Sequence, residues 1–338
     1  MVVAADQDVG IDVSAETLSV EIAIASGGVE RLEFANTAQG HRALIKRLTK
    51  KGRTARVCLE ATGNYSLDVA MALHAATGFA VLVINPRVAK RFAQALGERS
   101  KTDRIDAGVL REFAQRMPFV SWQPPAVQRI QLRSITRRID ALVVTLTQEK
   151  NRLHAASASE LTAAIRKSVR LHISQLERHV EVLRAEAQVL VDSSSELRRM
   201  LARIRAIPGF GPISGLQLLG ELAVLPADMK PREWVAYAGL DPTKYDSGTS
   251  VSRPSRMSRA GNRLFRKPLY MPALVAIRCQ PHTTAFYQRL LARKKHPLQA
   301  IVAVMRKLLH AIFGMLRHDD PFDGARLFSA PLNSTGGP

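Results

Sequence analysis

Near the start of the chain hydrophobic and polar residues alternate. Val9, Ile11 and Val13 are separated by Gly10 and Asp12, and after a polar turn at residues 15–17 a second apolar run covers residues 18–25. This pattern predicts a β-hairpin, followed by a third short strand over residues 31–35. The period then lengthens: Leu44, Ile45 and Leu48 mark an amphipathic helix that ends at Gly52. Residues 57–61 predict a strand, 64–77 a helix, and 80–85 a buried strand stopped by Pro86. The order βββαβαβα predicts an α/β layer built on a mixed sheet.

Beyond Trp122 and the Pro124-Pro125 break the period changes. Ile135, Ile139, Leu142, Leu146 and Leu153 follow a heptad seam, and Ile165, Val169, His172, Leu176, Val180, Leu183, Ala187 and Leu190 continue it with one stutter. Two long helices separated near residues 155–159 predict an antiparallel coiled-coil hairpin. In that seam His172 is a packing residue. From Leu201 onward, Ile207-Pro208-Gly209-Phe210-Gly211-Pro212 lies between helical patterns and matches either a helix-hairpin-helix turn offering backbone N–H groups to phosphate or an ordinary helix break. The remainder, to about Arg317, predicts mainly helix with a polar loop over residues 241–258. At roughly 100–200 residues per domain, 338 residues favour two or three units.

Charge changes the picture. The chain carries 49 Lys and Arg against 29 Asp and Glu, a formal charge of +20, yet 46% of its residues are hydrophobic, which excludes a disordered polyelectrolyte. Fourteen of the basic residues and not one acidic residue fall between positions 247 and 318. An acid-free stretch that keeps helical apolar spacing predicts a phosphate-contacting face, because fixed cations gain most by displacing counterions from a polyanion. Nucleic acid is the leading partner and an anionic membrane surface the second. Asp6, Asp8 and Asp12 interrupt any signal-peptide core, and no apolar run reaches the ~18 residues of a membrane span. The expectation is a soluble, cytoplasmic protein with no membrane partner. Cys58 and Cys279 are too few and too far apart for a disulfide framework or a zinc cluster.

Four carboxylates stand out by position. Asp12 lies on the first strand, on the face opposite Val9, Ile11 and Val13, and Glu60 sits near the end of a strand that pairs naturally beside it. Asp103 and Asp106 are neighbours at i and i+3 of a helix running to about Arg116. Any one of them alone is more commonly a turn, cap or ion-pair residue. As a set converging from two strands and a helix they would repel one another unless a hard cation neutralised them, and Mg²⁺ or Mn²⁺ on carboxylates is the usual arrangement for phosphodiester chemistry.

These residues resemble a family, the DEDD-type transposases of insertion sequences with their pilin-gene invertase relatives, a group of RNA-guided serine recombinases. The resemblance is carried by Val9-Gly10-Ile11-Asp12-Val13-Ser14, Leu59-Glu60-Ala61-Thr62-Gly63-Asn64-Tyr65 and Lys101-Thr102-Asp103-Arg104-Ile105-Asp106-Ala107. In the second half Ile207-Pro208-Gly209-Phe210-Gly211, Ala238-Gly239-Leu240, Ser247-Gly248 and Met257-Ser258-Arg259-Ala260-Gly261-Asn262-Arg263 extend it, so that it covers residues 5–318. It departs at Ala15, where the family often has Lys, and at residues 249–254, where glycine and basic residues are usual.

The resemblance implies a ribonuclease-H-like domain over residues 1–118 whose Asp12, Glu60, Asp103 and Asp106 bind Mg²⁺, or Mn²⁺. It implies a coiled-coil helical hairpin over 119–200, a mainly helical transposase domain over 201–320 with a serine nucleophile, and a tail over 321–338. Ser247 is assigned as nucleophile because it alone matches the Ser-Gly pair, with Ser250, Ser252, Ser255 and Ser258 nearby. Arg253, Arg256, Arg259, Arg263, Arg266, Lys267, Arg293, Lys294 and Lys295 form the expected nucleic-acid face. The implied partners are double-stranded donor and target DNA, a structured noncoding guide RNA, and further copies of the chain as a dimer or tetramer in the nucleoid. Two other readings compete: a Holliday-junction-resolvase-like nuclease that hydrolyses DNA with metal-activated water, and an architectural DNA-binding protein without catalysis.

Overall fold

The computed structural model describes the chain apart from residues 1–4, 25, 26, 62, 64, 98–102, 158–162, 248–250 and 329–338; the side chains at 103–105, 156, 157, 244–247 and 251–256 are likewise outside the description. It divides into two compact units, one running to Pro124 and the other starting at Pro125.

The first unit contains β1 (Gln7–Val13), β2 (Thr17–Ala23), β3 (Val29–Ala35), α1 (Ala38–Leu48), β4 (Ala55–Glu60), α2 (Tyr65–Ala75), β5 (Phe79–Ile84), α3 (Pro86–Ala95) and α4 (Asp103–Arg116). The sheet order is β3-β2-β1-β4-β5, with β1, β2 and β3 antiparallel and β1, β4 and β5 parallel. Alternation sends Val9, Ile11 and Val13 to one face, where they bury against Leu44, Leu48, Val69 and Leu73 of α1 and α2. Cys58, Leu82 and Ile84 face the other way and pack on Ala89, Leu110 and Phe113 of α3 and α4. Helix starts follow local chemistry: the Thr37 side chain accepts from Gly40 N before α1, and Asn85 accepts from Arg87 N with Pro86 in the first turn of α3.

The second unit opens with two long helices, α5 (Val127–Ser157) and α6 (Ala163–Asp192), which run antiparallel around Ile139, Leu142, Leu176 and Val180. The seam on α6 passes through buried Ile173, whereas His172 is half exposed with Nδ1 3.7 Å from Glu149 Oε1. His172 is therefore not a seam residue. Placing Ile173 in the register moves the stutter to the exposed Ile165 at the helix start, because from Val169 onward Ile173, Leu176, Val180, Leu183 and Ala187 alternate by four and three.

There follow α7 (Ser195–Arg205), α8 (Pro212–Leu222), α9 (Pro231–Tyr237), β6 (Pro242–Ser247), β7 (Val251–Met257), α10 (Arg263–Arg266), α11 (Tyr270–Cys279), α12 (Pro281–Ala292), α13 (Pro297–His318) and α14 (Gly324–Phe328). The expected polar loop over 241–258 is instead an antiparallel hairpin, β6 with β7. Its strands lack the apolar alternation that signals a sheet face. Pro254 sits where the register shifts after Thr243, a position at which no ladder N–H is needed. α13 is long and apolar enough by length and composition to cross a membrane. Arg306 and Lys307 interrupt its apolar run, and Val304, Leu308 and Ile312 bury in the main core beside Trp234 and Phe265.

One contact sets where α4 lies. A Cβ on Gly10 would fall 2.0 Å from the Ala107 carbonyl oxygen and 2.3 Å from Arg111 N, so only glycine lets the helix backbone touch the central strand. Gly10→Ala is expected to cost at the upper end of ~1–3 kcal/mol, since backbone on both sides has to separate. Urea unfolding of the full chain measures it, and an unchanged midpoint would refute this account of the contact.

Candidate active site and nucleic-acid face

The parallel register pairs Gly10 with Cys58 and Ile11 with Leu59. Asp12 and Glu60 come next in that register, and by alternation they share the face of Gly10 and Cys58, which is the face covered by α4. The direction of α4 follows from what succeeds it. Phe119 lies under the Arg56 guanidinium, 5.6 Å from ring centroid, at the start of β4, so the C-terminal end of α4 lies over the strand starts. Its N-terminal turn, with Asp106 beside buried Ala107, therefore lies toward the strand ends that carry Asp12 and Glu60. Asp103 begins the same helix, one turn earlier, with its side chain outside the description.

Oxygen donors of this kind suit Mg²⁺ or Mn²⁺ and exclude a soft metal. Among the described residues no group of three or more His, Cys, Asp or Glu side chains is gathered closely enough to hold an ion. The fold thus brings Asp12, Glu60 and the first turn of α4 to one end of one face without drawing three described carboxylates into a closed site.

A buried carboxylate holds α4 in this position. Glu21, 4% exposed at its side chain, accepts from Arg111 Nε at 2.9 Å and from Arg31 Nε at 2.8 Å. Burial alone pulls the Arg111 guanidinium down; hydrogen bonds and charge from Glu21 and Glu112 outweigh it, and the net shift is upward. Cys58, on the same face, is inert, with burial pushing its thiol up to about 12.

In the second unit Ser247 ends β6 and pairs with Val251, so it stands beside the hairpin tip at 248–250, which lies outside the described residues. Its side chain and those of Arg253 and Arg256 on β7 also lie outside. Arg259 and Arg263 are exposed after β7, and Arg293, Lys294 and Lys295 are exposed in the turn between α12 and α13. Arg266 and Lys267 differ in being tied to the protein: Arg266 Nη1 donates to Ala238 O at 2.6 Å, and Lys267 pairs with Asp140. Burial, then the charges of Arg259 and Arg263, lower the Arg266 guanidinium, which shows how crowded the cations are.

A groove of about 730 Å³ joins two parts of this face. Arg259, Lys295, His296 and Arg306 border it over a floor of Leu240, Met257, Leu290 and Leu298, with no acidic side chain in its lining. The glycine turn between α7 and α8 has two different roles. Gly209, at φ +100°, packs so closely that a Cβ would meet Pro272 O at 2.6 Å, while Gly211 faces open space at the start of α8.

Sequence reasoning passed over Glu221, although a single acid inside the apolar run of α8 was a visible signal. It is 1% exposed and accepts from both Arg137 and Asn262.

If the exposed cations contact phosphate, Arg263→Ala or Lys294→Ala should each lower the slope of log K against log salt by roughly 0.9 for duplex DNA, with little change in sequence preference. Filter binding between low and moderate salt reads this out, and an unaltered slope after removing both side chains would refute it.

Comparison with known proteins bears on the same residues. A transposase model of the IS110 DEDD type matches residues 9–157, and a model described as transposase IS116/IS110/IS902 family matches residues 201–288. A pilin gene-inverting protein of Moraxella bovis is 27% identical over 321 residues, spanning 93% of this chain and 97% of the relative. Its Moraxella lacunata counterpart aligns over the same span at 27%. An insertion element IS900 protein of Mycobacterium paratuberculosis is 29% identical over 189 residues, 54% of this chain and 45% of that protein.

Proposed function

The chain belongs to the IS116/IS110/IS902 family of transposases, enzymes of DNA recombination, and from that premise we propose that it exchanges DNA strands through a covalent serine intermediate. The observation that carries the reading is the register. Asp12 and Glu60 end adjacent parallel strands on the face of α4, toward the turn that bears Asp106. In this reading residues 1–118 form a ribonuclease-H-like domain, 119–200 the coiled-coil hairpin and 201–320 the domain of the nucleophile.

Asp12, Glu60, Asp103 and Asp106 would hold Mg²⁺ or Mn²⁺, which when bound supplies positive charge to the scissile phosphate. Ser247 Oγ loses its proton and bonds to phosphorus while the bond from phosphorus to the departing deoxyribose oxygen breaks. That oxygen leaves as a hydroxyl. A hydroxyl of a second strand then attacks the phosphoserine ester and releases Ser247, so the number of phosphoester bonds is conserved and no high-energy cofactor is consumed. Arg253, Arg256, Arg259 and Arg263 lie close to Ser247 in the chain and are the cations available to the developing oxyanion. The relatives invert a pilin gene or belong to insertion elements by name; here the proposed partners are donor and target duplex DNA, a structured guide RNA encoded with the element, and further copies of the chain.

The test is to trap the full chain on a nicked suicide DNA substrate and map the adduct by peptide mass. Ser247→Ala should lose the adduct and Ser250→Ala should keep it. An adduct at another serine would refute the assignment, and cleaved ends without any adduct in the wild type would identify water as the nucleophile. Separately, Asp12→Asn or Asp106→Asn is expected to abolish strand exchange while leaving the unfolding transition in place, because each removes one ligand charge. Undiminished exchange by either variant in Mg²⁺ would overturn the carboxylate assignment.

A further inference from the structure

A polar cluster around a buried carboxylate of the helical unit has no part in the chemistry above. Glu221 of α8 has a side chain only 2% exposed. Arg137 of α5 grips both its oxygens, Nε to Oε1 at 2.6 Å and Nη2 to Oε2 at 2.9 Å. Asn262 Nδ2 donates to the same Oε2 at 2.6 Å and reaches Tyr237 Oη at 3.1 Å. Hydrogen bonds from Arg137 to Glu221 hold the guanidinium above its ordinary value against the opposing pull of burial. Gly220 makes room for the Thr136 side chain of α5, since a Cβ on Gly220 would lie 2.2 Å from Thr136 Oγ1.

What this cluster holds is the root of the β6–β7 hairpin. The first pair of that hairpin is Pro242 with Met257. Immediately outside it, Ser258 N donates to Asp241 O at 2.9 Å, the Ser258 hydroxyl meets Asp241 Oδ1 at 2.5 Å, and Arg259 N donates to Gly239 O at 3.2 Å. Asn262 closes the clamp: its N–H donates to Tyr237 O at 2.6 Å, and its Oδ1 accepts from Leu264 N and Phe265 N to start α10. Gly261 has no room for a Cβ, which would fall 2.3 Å from Gly239 N. The chain entering β6 and the chain leaving β7 are thus zipped together and fastened to Glu221 through one amide.

A two-stranded hairpin has little stability of its own, so its direction is set where it is rooted. We propose that Asn262 and Glu221 are positioning residues that fix the root from which Ser247 is presented, with Arg137 tying that root to the α5–α6 helical pair. The proposal rests on the reading of β6–β7 as the carrier of the nucleophile. It assigns to Asn262 a job that its side chain performs through another residue, without touching DNA.

Asn262→Asp is the sharp test. Aspartate starts a helix as well as asparagine, so the α10 cap is kept, but the donor is lost and a second carboxylate is set against Glu221. In the full chain, recombination of a plasmid carrying the element with its own flanking DNA should fall on the order of 100-fold, the usual consequence of a misplacement of about 1 Å at a reacting group. DNA affinity should stay within about twofold, since no phosphate contact is removed. Amide hydrogen exchange at Ser258, Arg259 and Asn262 should accelerate. Asn262→Ser, which keeps a cap without adding charge, covers the case in which the aspartate variant does not fold, and it too should lose recombination.

Wild-type recombination in Asn262→Ser would overturn the proposal, as would a folded Asn262→Asp variant whose amide exchange at Ser258, Arg259 and Asn262 is unchanged. If the wild type recombines without a Ser247 adduct, the nucleophile reading fails on its own. Recombination and amide protection would still report whether Asn262 sets the hairpin root.

Discussion

A carboxylate taken out of water must be met by cations and hydrogen-bond donors, and two such carboxylates organise this chain. Glu21 in the first unit and Glu221 in the second are nearly inaccessible, and each is matched by arginine from another element. Leaving either one unpaired would cost about 3–5 kcal/mol, so the partners are fixed together as firmly as a packed core fixes them. Each carboxylate also stands behind an element that carries proposed site residues. Glu21 holds α4, whose first turn carries Asp106, through Arg111; Glu221 holds the root of the hairpin that ends in Ser247 through Asn262. In the proposed reading, the acids assigned to chemistry are thereby distinct from the acids that do placement.

The same division explains what could be seen in the amino-acid pattern. The β-rich first half was legible because alternation at Val9, Ile11 and Val13, and the unbroken runs of β4 and β5, report burial on one face or both. The α5–α6 pair was legible from its heptads, with the seam misplaced by one residue at His172, since periodicity does not distinguish the buried Ile173 from an adjacent half-exposed His. The β6–β7 hairpin was not legible. Its strands are polar, carry Pro254 and present no buried face in sequence, so nothing in the period separates them from a loop. Of the candidate site, Asp12, Glu60 and Asp106 were chosen by position, and the register gives two of them adjacent strands; Glu221 and Asn262 were missed because burial and pairing are properties of the assembled helices.

The concentration of charge poses a problem that placement resolves. Between residues 247 and 318 the chain supplies only cations, yet α10, α11 and α13 must pack into a core. Several partly buried cations are matched from outside the stretch: Asp140 of α5 meets Lys267, and the Ala238 carbonyl meets Arg266. Lys307 and Arg289 turn to the Leu327 and Phe328 carbonyls at the end of α14. Arg259, Arg263, Arg293, Lys294 and Lys295 are left at the surface, where a net positive field is tolerated because water and salt screen it. Distributing acids through this segment would relieve the repulsion that, after burial, lowers Arg266, and would also cancel the attraction for phosphate. The acid-free surface is therefore compatible with a stable fold because Asp140 of α5 supplies a countercharge and the carbonyls of Ala238, Leu327 and Phe328 accept hydrogen bonds from other partly buried cations.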